Sequence, residues 1–232
     1  DIDPWYTYMR YINERLGFSQ VRNVESGSIL VIGPGSGVEV NTFLSVNKCW
    51  KVSFLEASDN FKKQLKASFP KSIVVDPETS GKINIDSNSV DLICAFSVLH
   101  HIPNVSYVIG ELSRVLKPGG LILVREPCSS MGDWGYVRSA TPNERGIPKR
   151  LLCKIASEKG LKIVKSPVPV AFAPLNTLLD KYLARIKLPL QLVYVIDRTI
   201  SKLISLNDFY WRDSLTKKIG PSSYFYVFKK KP

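Results

Sequence analysis

Histidine is scarce in this chain: there are two, adjacent at positions 100 and 101. The four cysteines, at 49, 94, 128 and 153, lie far apart and form no Cys-x-x-Cys pair. Neither a zinc site nor a disulfide framework is therefore expected, and a reducing cytoplasm is the expected compartment. No apolar run approaches the roughly 20 residues of a membrane-spanning helix. The opening Asp1-Ile-Asp-Pro4 shows no signal-peptide pattern and no initiating Met, as a trimmed chain would. Acidic residues are scarce only toward the end. Residues 1–148 balance 15 Lys+Arg against 15 Asp+Glu, whereas residues 149–232 hold 17 against 5, so the whole +12 excess sits in the last third. An anionic partner (a phosphorylated substrate, an anionic lipid surface or a nucleic acid) or a merely soluble basic surface would each account for it.

What is present suits one α/β domain. The 232 residues, 44% hydrophobic and 22% charged, are ordinary for a globular protein and enough for a sizeable core. The chain is organised around Ile29-Leu-Val-Ile-Gly-Pro-Gly-Ser-Gly-Val38. Four apolar residues read as a buried parallel strand, and the glycines at 33, 35 and 37 as a turn into a helix, where exposed backbone N–H groups can face a ligand. The spacing is one residue shorter than the Gly-x-Gly-x-x-Gly dinucleotide fingerprint. Lys51-Val-Ser-Phe-Leu-Glu56 follows as a second strand. Glu56, 19 residues beyond Gly37, is a carboxylate at a strand end beside the glycine turn, placed to accept both hydroxyls of a ribose, with Ala57 and Ser58 flanking it.

Further on come Val90-Asp-Leu-Ile-Cys-Ala-Phe96, Ser97-Val-Leu-His-His-Ile-Pro103 and Arg114-Val-Leu-Lys-Pro-Gly-Gly-Leu-Ile-Leu-Val124. With the glycine loop, and in this order, they resemble class I S-adenosylmethionine-dependent methyltransferases of the type 11 group over roughly residues 25–166. The resemblance implies a doubly wound, Rossmann-like sheet of seven strands, six parallel and the last antiparallel. It also implies S-adenosyl-L-methionine as cofactor, held by Gly33, Pro34, Gly35 and Gly37. Thr79 and Ser80 stand where the family has its adenine-contacting pair, with Asp76 an alternative from a longer loop. The backbone at Phe96 and Ser97 would line the methionine arm, and His100 or His101 would face the reacting methyl.

Four regions are expected. Residues 1–24 hold an aromatic amphipathic helix (4–16) that covers the cofactor or packs through Trp5, Tyr8 and Ile12. Residues 25–166 form the core, residues 167–222 a helical cap inserted between the sixth and seventh strands, and residues 223–232 the last strand. Two stripes mark the cap helices: Leu175, Leu178, Leu179, Tyr182, Leu183 and Ile186, then Val193, Ile196, Ile200, Leu203 and Ile204. The insertion would cap the substrate pocket, contact a second copy, or lie on an anionic membrane. The long polar loop from Pro127 to Pro148 leaves the sheet at its ligand-binding edge. In it Asp133, Trp134, Arg138, Asn143, Glu144 and Arg145 could bind a polyhydroxylated or charged acceptor, and its wording resembles methyltransferases of bacterial glycan and polysaccharide pathways.

A sulfonium methyl is already activated, so alignment with the nucleophile is the main task. A hydroxyl acceptor also needs a base, for which His101 comes first and His100 second, with Glu126 an alternative base or orienting partner. An amine acceptor would need positioning alone. No metal is required by this scheme. The reading is O-methylation of a small or glycan-type hydroxyl. Its rivals are a nucleic-acid methyltransferase, an NAD-binding oxidoreductase and a cofactor-binding scaffold without turnover.

Overall fold

The computed structural model describes residues 3–130, 144–172, 175 and 188–232. At its centre β1 (Ser28–Ile32) is hydrogen-bonded in parallel to β2 (Lys51–Leu55) on one side and to β4 (Val90–Phe96) on the other. Ile29 and Val31 point into one buried layer and Leu30 and Ile32 into the other, which is why this strand is apolar without alternation. β3 (Ile73–Val75) extends the sheet beyond β2, and β5 (Leu116–Pro127) pairs in parallel with β4. The long last strand, β8 (Pro221–Lys230), runs antiparallel between β5 and β6 (Leu161–Ile163), giving the order β3-β2-β1-β4-β5-β8-β6.

Helices cover both faces. On one side α1 (Pro4–Ile12), α2 (Val38–Val46) and α3 (Asp59–Ser68) bury Tyr8, Met9, Ile12, Val40, Phe43 and Leu65. On the other, α4 (Val105–Val115) and α5 (Lys149–Glu158) bury Val108, Ile109, Leu112, Leu152 and Ile155. Asp3 caps α1 by accepting from the Trp5 N–H at 2.8 Å, and Ser58 caps α3. The 4–16 helix expected from sequence is α1 continued by a π-helical turn, Asn13–Gly17. Lys230 Nζ donates to the carbonyls of Ser113 and Leu116 at 2.6 and 2.8 Å, satisfying the end of α4 with a cation where the helix dipole is negative.

The region after β6 adds an eighth strand to the seven expected. β7 (Val168–Phe172) pairs antiparallel with the first half of β8, Val168 opposite Phe225. Then α6 (Leu190–Leu203) packs across β7 and α1, and a short α7 (Leu215–Lys218) precedes β8. The stripe read for α6 is half right in position: Val193 is buried and Ile200 and Ile204 pack on the core, but Leu203 is 72% exposed. Fully buried in the helix instead are Ser201 and, with more partners, Asp197. Its carboxylate accepts from the Tyr8 hydroxyl (2.6 Å), the N–H groups of Ala171 and Phe172 (3.0 and 3.1 Å) and the Ser201 hydroxyl (2.9 Å). One fully buried carboxylate thus ties α1, β7 and α6 together. The first cap stripe, apart from buried Leu175, lies outside the described residues. Among the described residues no helix is long and apolar enough to cross a membrane.

Candidate functional site

The C-terminal ends of β2, β1 and β4, three neighbouring strands, open into one cleft of about 610 Å³, within the usual size of small-molecule sites. Of the residues expected to hold a cofactor, Gly33, Pro34, Gly35, Glu56, Ala57, Phe96 and Ser97 line it, and so does His101. Gly33 and Gly35 have φ of +54° and +55°, a region L side chains rarely enter. A Cβ on Gly33 would stand 2.4 Å from Val98 Cγ2, whereas on Gly35 it would meet only the Phe61 ring, at 4.0 Å. The open space beside Gly35 is the cleft itself. Gly37, at the start of α2, packs instead against Phe69 and Leu65 behind the loop.

Glu56 is buried. One carboxylate oxygen accepts the Gly35 N–H at 3.1 Å and the other the Ser58 N–H at 2.9 Å. Each oxygen keeps a second lone-pair direction, so the group can brace the glycine loop and still accept a diol. Thr79 and Ser80 are exposed and are not in the lining. Ser80 closes a turn, its hydroxyl donating to Glu78 at 3.1 Å and its carbonyl accepting from Asn104 at 2.7 Å. Asp76 is ion-paired with Lys62.

The two histidines separate clearly. They share a 3₁₀ turn, Leu99–His101, after β4, with ring centroids 4.0 Å apart. His100 is buried and its Nδ1 lies 2.7 Å from Glu126 Oε2. Glu126, fully buried on β5, also accepts the N–H groups of Val98 and Leu99, each at 2.8 Å, and of His100 at 3.3 Å. A carboxylate accepts, so Nδ1 of His100 carries the proton of this bond. Glu126 therefore orients the turn, and His101 is the histidine that reaches the cleft. Burial, and His100 beside it, hold the His101 imidazole below its usual pKa despite the opposing pull of Glu144 and Glu126. Ser97, between strand and turn, sits at φ +54°, a strained conformation for a non-glycine residue at a cleft wall.

Several lining residues are not singled out by the sequence pattern. Phe61 fits the i, i+4 stripe of α3 with Leu65 and reads as core, and Tyr6 reads as the solvent side of α1. Glu39, in the first turn of α2, pairs with buried Arg125 at 2.6 Å, and Arg125 Nη2 lies 3.3 Å from the Ser97 hydroxyl. Among the expected acceptor-binding residues, Asp133, Trp134, Arg138 and Asn143 lie outside the described residues. Arg145 donates its backbone N–H to the His100 carbonyl at 3.3 Å, which brings residues 144–148 against the histidine turn.

A glycine turn between β1 and α2, a carboxylate after β2 and a cleft over β1 and β4 are brought together in one site. Residues 30–124 match the family model described as a methyltransferase domain. A highly reducing polyketide synthase, tstA, of Talaromyces stipitatus is 31% identical over 130 residues, 48% of this chain and 5% of that protein, so the chain spans about one-twentieth of that relative's length. Among solved structures, an S-adenosylmethionine-dependent methyltransferase from Mesorhizobium loti is 14% identical with a TM-score of 0.61, covering 96% of this chain and 98% of that one. The [4+2]-cyclase SpnF has a TM-score of 0.59 at 14% identity, covering 97% and 81%. At these identities the likeness is one of fold. The cyclase shows that this fold is also found in a protein named for another chemistry, so the reaction has to be argued from the site.

The residues present fit the cofactor. Backbone at a Cβ-free position, a carboxylate with acceptor capacity to spare and an aromatic ring face one continuous space.

Proposed function

We propose that this protein transfers a methyl group from S-adenosylmethionine to a hydroxyl of a small or glycan-type acceptor. One observation carries the reading: Glu56 and His101 stand at the two flanks of a single cleft whose floor is the glycine loop. When bound, the cofactor supplies a sulfonium-activated methyl. Glu56 would accept the ribose hydroxyls, Phe61 and Ala57 would hold the adenine, and the Phe96–Ser97 backbone would hold the methionine arm. Tyr6 of α1 lines the cleft and would cover the cofactor. His101, with its pKa lowered, is unprotonated near neutral pH and can take the acceptor's proton as the oxygen attacks. His100, fixed by Glu126, holds the turn so that His101 keeps its place. A base at this end favours a hydroxyl over an amine acceptor, because an amine attacks without one. The cysteines described are all free thiols, which suits a reducing, cytoplasmic setting.

Calorimetric titration with S-adenosylhomocysteine tests the reading. Wild type should bind in the micromolar range, and Glu56→Gln should weaken binding at least about tenfold, the loss of one to two charge-assisted hydrogen bonds. Sugar acceptors are then screened with His101→Ala as the inactive control. Folded wild type that binds no S-adenosylhomocysteine would sink the proposal.

A further inference from the structure

We propose that His100, His101 and Glu144 form a binding site for one divalent transition-metal cation at the acceptor end of the cleft. Each side chain offers one ligand atom, and the three lie within 4.8 Å of one another. Two imidazoles and one carboxylate are a donor set that suits zinc, manganese, cobalt or iron(II) and leaves coordination positions open. The supporting shell is already built. Glu126 accepts the Nδ1 proton of His100 at 2.7 Å, which fixes the ring and leaves Nε2 as the donor. The 3₁₀ turn is pinned by the Val98 and Leu99 N–H groups on the same carboxylate.

The third donor comes from far along the chain, which is why the paired histidines alone do not suggest a metal. Residues 144–148 are seated by the Arg145 N–H on the His100 carbonyl and by the Ile147 N–H on the Pro127 carbonyl at 2.7 Å. The backbones approach so closely that a Cβ on Gly146 would fall 2.1 Å from the Ser129 carbonyl oxygen. Donors bound about 2 Å from a cation lie roughly 3–4 Å apart, so binding draws the three together by about 1 Å. Glu144, in a segment without regular secondary structure, can supply that movement. Glu144 and Glu126 together carry the two negative charges that neutralise a divalent ion close to a sulfonium.

His101 lines the cleft, so an open coordination position faces the acceptor. For this role the inference rests on the hydroxyl-methylation reading. The acceptor O–H ionises on the cation and releases its proton to solvent. The oxygen then bonds to the methyl carbon, and the C–S bond breaks with its electron pair left on sulfur as a neutral thioether. A ligated His101 cannot also take the proton, so the cation activates the oxygen when the ion is bound and His101 does so in the metal-free protein.

The test is titration of the EDTA-treated chain with Co²⁺, read by visible d–d absorption, and with Zn²⁺ by calorimetry. Wild type should bind one ion, and His101→Ala and Glu144→Gln should each weaken binding at least tenfold while the far-ultraviolet circular dichroism is retained. Absence of binding by wild type, or binding that both substitutions leave unchanged, overturns the site. S-adenosylhomocysteine titration of the same preparation separates the two readings. Cofactor binding without Co²⁺ binding removes the metal site and leaves His101 as the base. Co²⁺ binding without cofactor binding supports the metal site and removes the methyltransferase.

Discussion

Glu126→Gln exchanges one oxygen for an NH₂ and should reorganise the histidine turn. The native carboxylate accepts four donors: the N–H groups of Val98, Leu99 and His100, and Nδ1–H of His100. An amide accepts through one oxygen only, so no orientation of the substituted side chain can satisfy all four. With the oxygen toward Val98 and Leu99, both 2.8 Å bonds survive, and the amide NH₂ faces Nδ1 and the longer 3.3 Å bond to the His100 N–H. With the amide flipped, two short bonds to buried backbone are lost instead. The first arrangement costs less, and it requires His100 to move its proton from Nδ1 to Nε2. One orphaned backbone donor and a weakened side-chain bond cost about 1–3 kcal/mol. For a chain of this size that is a fall in Tm of about 2–12 °C. Differential scanning calorimetry reads the stability, and ¹⁵N chemical shifts of the imidazole nitrogens read the tautomer. A variant that keeps its Tm within about 1 °C, with His100 still protonated at Nδ1, would refute the orienting role of Glu126.

In metal-free buffer kcat/KM should fall on the acid side below the ordinary histidine value of about 6.5, and His101→Gln should abolish that limb. Because folding lowers the His101 pKa, the unfolded chain binds more protons, so this residue's contribution to stability is present above about pH 6.5 and is lost as pH falls through the folded value; urea midpoints of wild type and His101→Gln against pH check the sign. Gly33→Ala should lower Tm more than Gly35→Ala, since only the former drives a methyl into Val98, while Gly35→Ala should weaken S-adenosylhomocysteine binding more than its Tm change explains. Asp197→Asn leaves two backbone N–H groups competing for one amide oxygen in a fully buried site, costing about 1–3 kcal/mol, and limited proteolysis should then cut faster than in wild type between Leu188 and Leu206.

The sheet was legible because its strands are unbroken apolar runs. Ile29–Ile32, Leu92–Phe96 and Leu121–Val124 are buried on both faces and cannot be mistaken for surface. β7 was not legible, since Val168–Phe172 contains Pro169, whose missing N–H counts against an interior strand; it is tolerated on a strand that pairs with β8 alone. Phe61 was hidden by periodicity: 61, 65 and 69 form one stripe, yet Leu65 and Phe69 pack inward while Phe61, one turn earlier, overhangs the cleft. Local pattern reports which face of a helix a residue takes, not whether the surface opposite is core or void. The choice between His100 and His101 depends on Glu126, 26 residues beyond His100, and no local rule reaches that far.

Glu56 and Glu126 share a design that pattern reading cannot separate from chemistry. Each is a buried carboxylate at the C-terminal end of a parallel strand, and each accepts backbone N–H groups from the loop that follows a neighbouring strand. β-strands end in unpaired amides at this edge, so a strand-end carboxylate first answers a structural need and has acceptor capacity left for a ligand or a histidine. Removing either with Ala therefore confounds a collapsed loop with a lost contact. The informative comparison is Gln at both positions. At Glu56 it should weaken cofactor binding more than it lowers Tm. At Glu126 it should do the reverse, because there every acceptor direction in use is already taken by the protein itself.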